Sequence, residues 1–329
     1  MATSRLELAL DAELFDIPVG RIGIWGPSRD MELSVFPKDQ VQIIHGFRPD
    51  HDVWGKRGFD VTPTPSGTFD LAMVCLPRAK DEALGYIAAA AQICSGPIII
   101  DGQKTDGVDS VLKLCRKRAE ISEVLSKSHG KLFVLTGQDG FADWLAKPQG
   151  PEGFVTAPGV FSADKVDKGS RLLAEAMPDD LKGEVADLGA GWGFLSASVL
   201  KQAAVTKIHL IEANHAALEC ARQNIPDARA EFHWADATTY DLRAPVDVVI
   251  CNPPFHTSRK ADPALGKAFI ASAARLLKPR GVAYFVANRH LPYEASLSEH
   301  FGLVEEFGGD GGFKLLMAAR PKTKPRHRL

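Results

Sequence analysis

Apolar residues in this chain gather into short unbroken runs separated by polar turns. Val246-Asp247-Val248-Val249-Ile250-Cys251, Val185-Ala186-Asp187-Leu188, Lys207-Ile208-His209-Leu210-Ile211-Glu212 and Phe69-Asp70-Leu71-Ala72-Met73-Val74-Cys75 have the length and branching of strands buried on both faces. Longer stretches between them predict helices: Asp81 to about Cys94, Glu212-Ala213-Asn214 onward to about Asn224, and Leu265 to about Leu277. Further strands are expected at Pro97–Ile100, Phe232–Ala237 and Gly281–Val286. Strands alternating with helices predict an α/β fold.

The run Lys147-Pro148-Gln149-Gly150-Pro151-Glu152-Gly153 reads as a linker and predicts two domains, 1–150 and 151–329. The two halves echo each other. Phe69–Pro77 lines up with Val246–Pro254, each with an Asp near the strand start seven residues before a Pro. A helix, a Gly/Pro turn and a strand then follow in both.

Composition narrows the class. The chain has 329 residues, 45% hydrophobic and 24% charged, as in ordinary globular proteins. Its net charge of −2 argues against wholesale coating of nucleic acid. No apolar run reaches the ~18 residues a membrane span needs. Acids at the N-terminus come too early for a secretory signal. The five cysteines are scattered without a Cys-x-x-Cys, and the ten histidines show no helical metal-ligand spacing. A reducing cytoplasm, no membrane and no metal site are expected.

The chemistry concentrates in the second half. Asn252-Pro253-Pro254-Phe255 directly follows a predicted strand. An exocyclic amine on a base is a poor nucleophile because its lone pair is delocalised. The Asn252 side-chain oxygen and the Pro253 carbonyl can each accept one N–H bond, favouring the pyramidal nitrogen of a transition state. Pro254 stiffens the turn and Phe255 offers a stacking face. Upstream, Asp187-Leu188-Gly189-Ala190-Gly191-Trp192-Gly193 is a glycine-rich turn between a strand and a helix, without the dinucleotide-binding spacing. Two later strands end in acids, Glu212 and Asp236, placed for a ribose and an adenine.

These motifs resemble the two-domain bacterial ribosomal RNA guanine-N2 methyltransferases of the RsmC type. Phe161-Ser162-Ala163-Asp164-Lys165-Val166-Asp167-Lys168-Gly169-Ser170-Arg171-Leu172-Leu173 is similar to the family's segment leading into its catalytic domain, and Asn252–His256 matches its catalytic turn. The resemblance implies two Rossmann-like methyltransferase-type domains, the first degenerate and substrate-holding, the second catalytic. It implies S-adenosylmethionine (SAM) as cofactor, with Asp187, Gly189, Ala190 and Gly191 at its methionine end. Glu212 and Ala213 would meet the ribose, Asp236 and Ala237 the adenine, with Asn252 and Ser170 adjoining the cofactor. Asn252, Pro253, Pro254 and Phe255 would carry catalysis, and His256, Arg289 and Lys314 would meet substrate. The expected partner is ribosomal RNA or a ribosomal subunit, small-subunit 16S rRNA first, bound by a monomer.

Ala190 and Trp192 depart from the family's loop, and Ala287–Tyr293 mixes features of its small- and large-subunit branches, so the target guanosine stays open. Alternatives are 23S rRNA, adenine or protein glutamine as acceptor, or a SAM-binding ribosome assembly factor without turnover. Lys113–Arg118, in the first half, is a candidate RNA-facing basic helix. Arg320, Lys322, Lys324, Arg326, His327 and Arg328 form a basic tail suited to salt-sensitive phosphate contact.

Overall fold

A computed structural model describes residues 4–137, 139–145, 150–254 and 263–322. The chain divides into two compact units, residues 1–148 with 157–159, and residues 149–156 with 160–329.

The first unit contains α1 (Arg5–Asp11), β1 (Ile22–Trp25), β2 (Val41–Ile44), α2 (Arg48–Lys56), β3 (Asp60–Thr62), β4 (Leu71–Cys75) and α3 (Lys80–Ile93). It continues with β5 (Ile98–Gln103), α4 (Val108–Cys115), β6 (Glu120–Ile121), β7 (Leu125–Lys127) and β8 (Gly130–Thr136). The second contains α5 (Lys168–Ala176), β9 (Gly183–Leu188), α6 (Phe194–Val199), β10 (Val205–Glu212), α7 (His215–Asn224), β11 (Ala230–Trp234) and β12 (Val246–Cys251). It ends with α8 (Pro263–Leu276), β13 (Leu277–Asn288), α9 (Tyr293–His300), β14 (Phe301–Gly309) and β15 (Phe313–Pro321).

The first sheet runs β3-β2-β1-β4-β5-β8-β6, with β7 also paired to β8; the second runs β11-β10-β9-β12-β13-β15-β14. Counted within each unit the order is 3-2-1-4-5-8-6 in the first and 3-2-1-4-5-7-6 in the second, the same apart from the extra short strand β7. The pairs from one edge to β5 or β13 are parallel, and β8 or β15 closes antiparallel. Apolar clusters fill both faces of each sheet, which is why the central strands read as continuous apolar runs. Both units therefore have the Rossmann-like methyltransferase topology.

The echo extends to side chains. Asp70 Oδ2 accepts from the Arg21 amide at 2.8 Å, and Asp247 Oδ2 accepts from the Glu184 amide at 2.9 Å. Each aspartate thereby fixes the start of the neighbouring first strand. Both need glycine beside them: a Cβ on Gly20 would lie 1.9 Å from Asp70 Oδ2, and one on Gly183 would lie 2.2 Å from Asp247 Oδ2. The pairing registers then place Ile24 where the second unit has Asp187, and Cys75 where it has Asn252. An apolar side chain and a thiol cannot supply the carboxylate and carboxamide at those places.

The candidate basic helix is shorter than expected. α4 ends at Cys115, and Arg118 bonds Asp143 at 2.5 and 2.9 Å while lying over the Trp144 ring. Lys113, Arg116 and Lys117 remain exposed.

Candidate functional site

In the second sheet the direction of chain progression reverses between β9 and β12, and crevices form at such a switch point beyond the strand C-termini. The glycine turn leaves β9 there, Asn252 leaves β12 beside it, and Glu212 closes β10 on the other flank. A small cleft, open to solvent, lies at this end. Gly189, Ala190, Gly191, Ser170, Asp167 and Asn252 all line it.

The turn's shape follows from backbone sterics. Gly189, Gly191 and Gly193 have φ of +72°, +56° and +93°, which only glycine adopts at low cost. A Cβ on Gly193 would also press to 2.7 Å from Ile225 Cδ1, whereas one on Gly191 would meet nothing within 4 Å. Gly193 thus serves packing, while Gly191 leaves open space. The Gly189 amide donates to Ile211 O at 2.9 Å, seating the turn on β10. Glu212 completes the clamp: Oε2 accepts from Gly191 N at 2.8 Å and Oε1 from Asn214 N at 2.7 Å. Burial pushes the Glu212 carboxyl up, partly offset by these amides. Trp192 lines the cleft, with its indole N–H fixed on Phe161 O at 3.0 Å and its ring packed against Phe154 and Phe194.

Asp187 lies fully buried beneath the turn. One oxygen accepts from Ser196 Oγ at 2.7 Å, and Oδ1 has no hydrogen-bond partner. Burial raises its pKa to about 7. A buried carboxylate left half-satisfied is costly unless a donor or cation completes it.

Asn252 is held from one side. Its Nδ2 donates to Asp167 Oδ1 and to Ser170 Oγ, both at 2.8 Å. A carboxylate accepts only, so these bonds fix which end of the amide is nitrogen. The buried Oδ1 is thereby turned away from Asp167, and it has no partner. Asp167 holds its place as the N-cap of α5, accepting from Ser170 N at 2.8 Å. Gly169 allows the close approach, since a Cβ there would sit 3.0 Å from Phe313 and 3.1 Å from Asp167 Oδ1. Pro253 is buried and Pro254 half-buried.

The sequence reading missed Asp167. Its signal, an Asp three residues before a Ser at a helix start, reads as a helix cap, and nothing local reveals its second bond across 85 residues.

Other expected site residues fall as follows. Asp236 Oδ1 accepts from Thr238 N and Oγ1 at 2.9 and 2.6 Å. Ala213 O accepts from Trp234 Nε1 at 2.8 Å, tying the ends of β10 and β11 together. Ala237 is buried, and its carbonyl takes the Ser272 hydroxyl at 2.5 Å. Arg289 clasps the β14–β15 hairpin, donating to Asp310 O, Phe313 O and Glu306 Oε1 at 2.9 to 3.1 Å. Lys314 corrects the expectation of a substrate-facing cation: its side chain is 5% exposed and its ammonium meets Glu294 at 2.5 Å. Both faces of β15 are covered here, with Leu315 and Leu316 buried beside it, so the side chain is enclosed whichever face it takes. Phe255, His256 and residues 323–329 of the basic tail lie outside the described residues.

Comparison with known proteins agrees with this fold. The fold is that of a Rossmann-like methyltransferase, and residues 152–317 match the family model described as "Methyltransferase small domain". The chain is similar to the "Ribosomal RNA small subunit methyltransferase C" of Yersinia pseudotuberculosis, 30% identical, covering 76% of this chain and 75% of that one. It is also similar to the protein of that name from Yersinia enterocolitica, 29% identical over 82% of this chain and 80% of that one. Among solved structures, "T. Thermophilus 16S rRNA N2 G1207 methyltransferase (RsmC) in complex with AdoMet and Guanosine" superposes with a TM-score of 0.76 at 24% identity, covering 93% and 90% of the two chains. The chain belongs to the methyltransferase small-domain family, within its ribosomal RNA small subunit methyltransferase C group. No helix among the described residues is long and apolar enough to cross a membrane.

Proposed function

We propose that this enzyme transfers the methyl group of S-adenosylmethionine to the N2 amino group of a guanosine in small-subunit ribosomal RNA. The observation that carries this reading is the unpartnered Asn252 Oδ1, buried at the cleft with its amide nitrogen anchored behind it. An acceptor so placed awaits an N–H donor. The curated relatives' names support the ribosomal RNA substrate, and the name of the T. thermophilus structure supports a guanine N2 as acceptor.

The residues present fit the cofactor. Asp187 Oδ1 is a buried acceptor matched to a cation at the methionine end, and Gly191 leaves room for close backbone approach. Gly189 and Ala190 line the same wall. Glu212, beside Ala213, would accept from ribose hydroxyls with lone pairs its amide bonds leave over. Asp236 and Ala237 would flank the adenine, with the second Asp236 oxygen facing its amino group. Ser170 would close the cleft from α5. The cofactor supplies a methyl carbon made electrophilic by its sulfonium.

The protein's part is placement and polarity. The guanine must leave its helical stack for N2 to reach the cleft. Asn252 Oδ1 and the Pro253 carbonyl each accept one N2 hydrogen, drawing the nitrogen lone pair out of conjugation and toward the methyl carbon. Bound there, SAM would supply the methyl group, its carbon–sulfur bond breaking as the N–C bond forms, and N2 would give one proton to solvent. Pro253 and Pro254 bring no N–H to compete for those acceptors. Phe255 is assigned to stacking on the base and His256 to a neighbouring contact. The methyl transfer is assigned to a monomer, and its chemistry calls for no metal.

The first unit, with Ile24 and Cys75 at the places of Asp187 and Asn252, is assigned a substrate-holding role. The test is mass mapping of N2-methylguanosine in 16S and 23S rRNA from cells with and without the gene. One 16S position should lose its methyl group and regain it with wild type but not with Asn252→Ala. An unchanged 16S map would overturn the proposal, and a change confined to 23S would transfer it to the other subunit. Methyl transfer to naked 16S rRNA and to assembled subunits would define the substrate state.

A further inference from the structure

Away from the cleft, β10 and β11 bring together two histidines and a glutamate in the second unit. His209 and Glu231 are register partners on these neighbouring strands, and His233 follows two residues along β11 on the same face. His209 Nδ1 lies 3.0 Å from His233 Nε2 and 3.2 Å from Glu231 Oε2. In tetrahedral zinc sites, ligand atoms about 2.0–2.2 Å from the metal stand roughly 3.3 Å from one another. All three ligand atoms fall within 4.8 Å of each other.

We propose that His209, His233 and Glu231 form a binding site for one divalent transition-metal ion of the zinc class. The remaining imidazole nitrogens are held as they are in metal sites. His209 Nε2 faces Glu184 Oε2 at 3.5 Å, and His233 Nδ1 meets the Tyr240 hydroxyl at 2.9 Å. Such outer partners fix the ring orientation and the tautomer. Lys207 does the same for the glutamate, holding Oε1 at 2.7 Å while Oε2 turns toward His209.

The Tyr240 oxygen beside His233 Nδ1 can accept a hydrogen bond from that nitrogen, which leaves Nε2 as the ligating atom facing His209. Glu231 and Glu184 supply two negative charges against the nearby Lys207.

The site lies three residues before Glu212 on β10 and three before Asp236 beyond β11. Metal there would pin the edge strand to its neighbour and stiffen the wall assigned to the adenosine. The role is structural, distinct from the methyl-transfer chemistry and independent of it.

The test uses the untagged full-length chain, stripped with chelator and titrated with Zn²⁺ by calorimetry, with Co²⁺ as a coordination probe. One equivalent should bind, raise the thermal midpoint and give the visible absorption of four-coordinate Co²⁺. His233→Ala and Glu231→Gln should each weaken binding at least about tenfold and abolish the midpoint shift. Glu231 is exposed, so its substitution reads the site even where a histidine variant folds poorly. Absence of binding, or binding of equal strength in wild type and Glu231→Gln, would overturn the proposal.

Discussion

Asp167 Oδ1 accepts a hydrogen bond from Asn252 Nδ2 at 2.8 Å while also capping α5 through Ser170 N at 2.8 Å. One carboxylate oxygen thus joins the start of a helix to the turn after β12. The bond decides which face of the Asn252 amide meets the cleft. Asp167→Ala is expected to lower single-turnover methyl transfer by roughly 10–100-fold with SAM affinity changed less than threefold. The lost cap should cost about 1 kcal/mol of stability. Asp167→Asn, whose amide oxygen can still accept, should recover part of the rate. Equal rates for wild type and Asp167→Ala at saturating cofactor would remove Asp167 from this positioning role.

Asn252→Ala removes the unpartnered acceptor itself. Turnover should fall roughly 10²–10³-fold, because a bond made chiefly in the transition state is lost. Calorimetric SAM affinity should stay nearly constant. A variant that bound cofactor poorly yet turned over normally when saturated would place Asn252 on the cofactor instead.

Asp187 predicts a pH dependence. Its folded pKa is raised to about 7 by burial, above an unfolded value near 3.8. A raised carboxyl pKa means the fold prefers the neutral form. Its contribution is whole below about pH 4 and is lost as pH rises through about 7, by up to about 4 kcal/mol. Thermal melts of cofactor-free wild type should therefore fall relative to Asp187→Asn between about pH 4 and 7. A cationic ligand group beside Asp187 favours the ionised form, so SAM affinity should rise over the same interval in wild type alone. Parallel melting curves for the two proteins would contradict the assignment.

Two of the turn's three glycines, Gly191 and Gly193, should part company. Gly191→Ala adds a methyl group where no protein atom lies within 4 Å, at a φ of +56°. Its fold should lose only about 1–2 kcal/mol of stability, while SAM affinity drops at least tenfold as the methyl group enters the cleft. Gly193→Ala, at φ +93° and against Ile225, should principally destabilise. Denaturant unfolding paired with cofactor titration distinguishes them.

Lys314 is inward-facing and paired with Glu294, so Lys314→Met should leave the salt dependence of RNA binding unchanged. A decrease in the slope of log affinity against log salt would return it to the RNA surface.

Apolar runs, strand-end acids and the Asn-Pro-Pro turn made the α/β architecture and the cleft's main wall legible in sequence. Each rests on a local rule: buried parallel strands are continuously apolar, and a tight turn at positive φ needs glycine. The aligned strand-start aspartates, Asp70 and Asp247, likewise disclosed the repeated topology, because each performs the same backbone contact one strand away. Tertiary structure decided what depends on partners distant in the chain. Asp167 acquired its second role only when α5 docked beside β12. Lys314 became buried because both faces of β15 are covered in the folded unit and Glu294 of α9 meets its ammonium. His209 met His233 because β10 and β11 lie side by side, a proximity that helical ligand spacing does not disclose. Sequence specifies each residue's chemistry and its local backbone, whereas hydrogen bonds between distant segments exist only after packing has brought their atoms within about 3 Å.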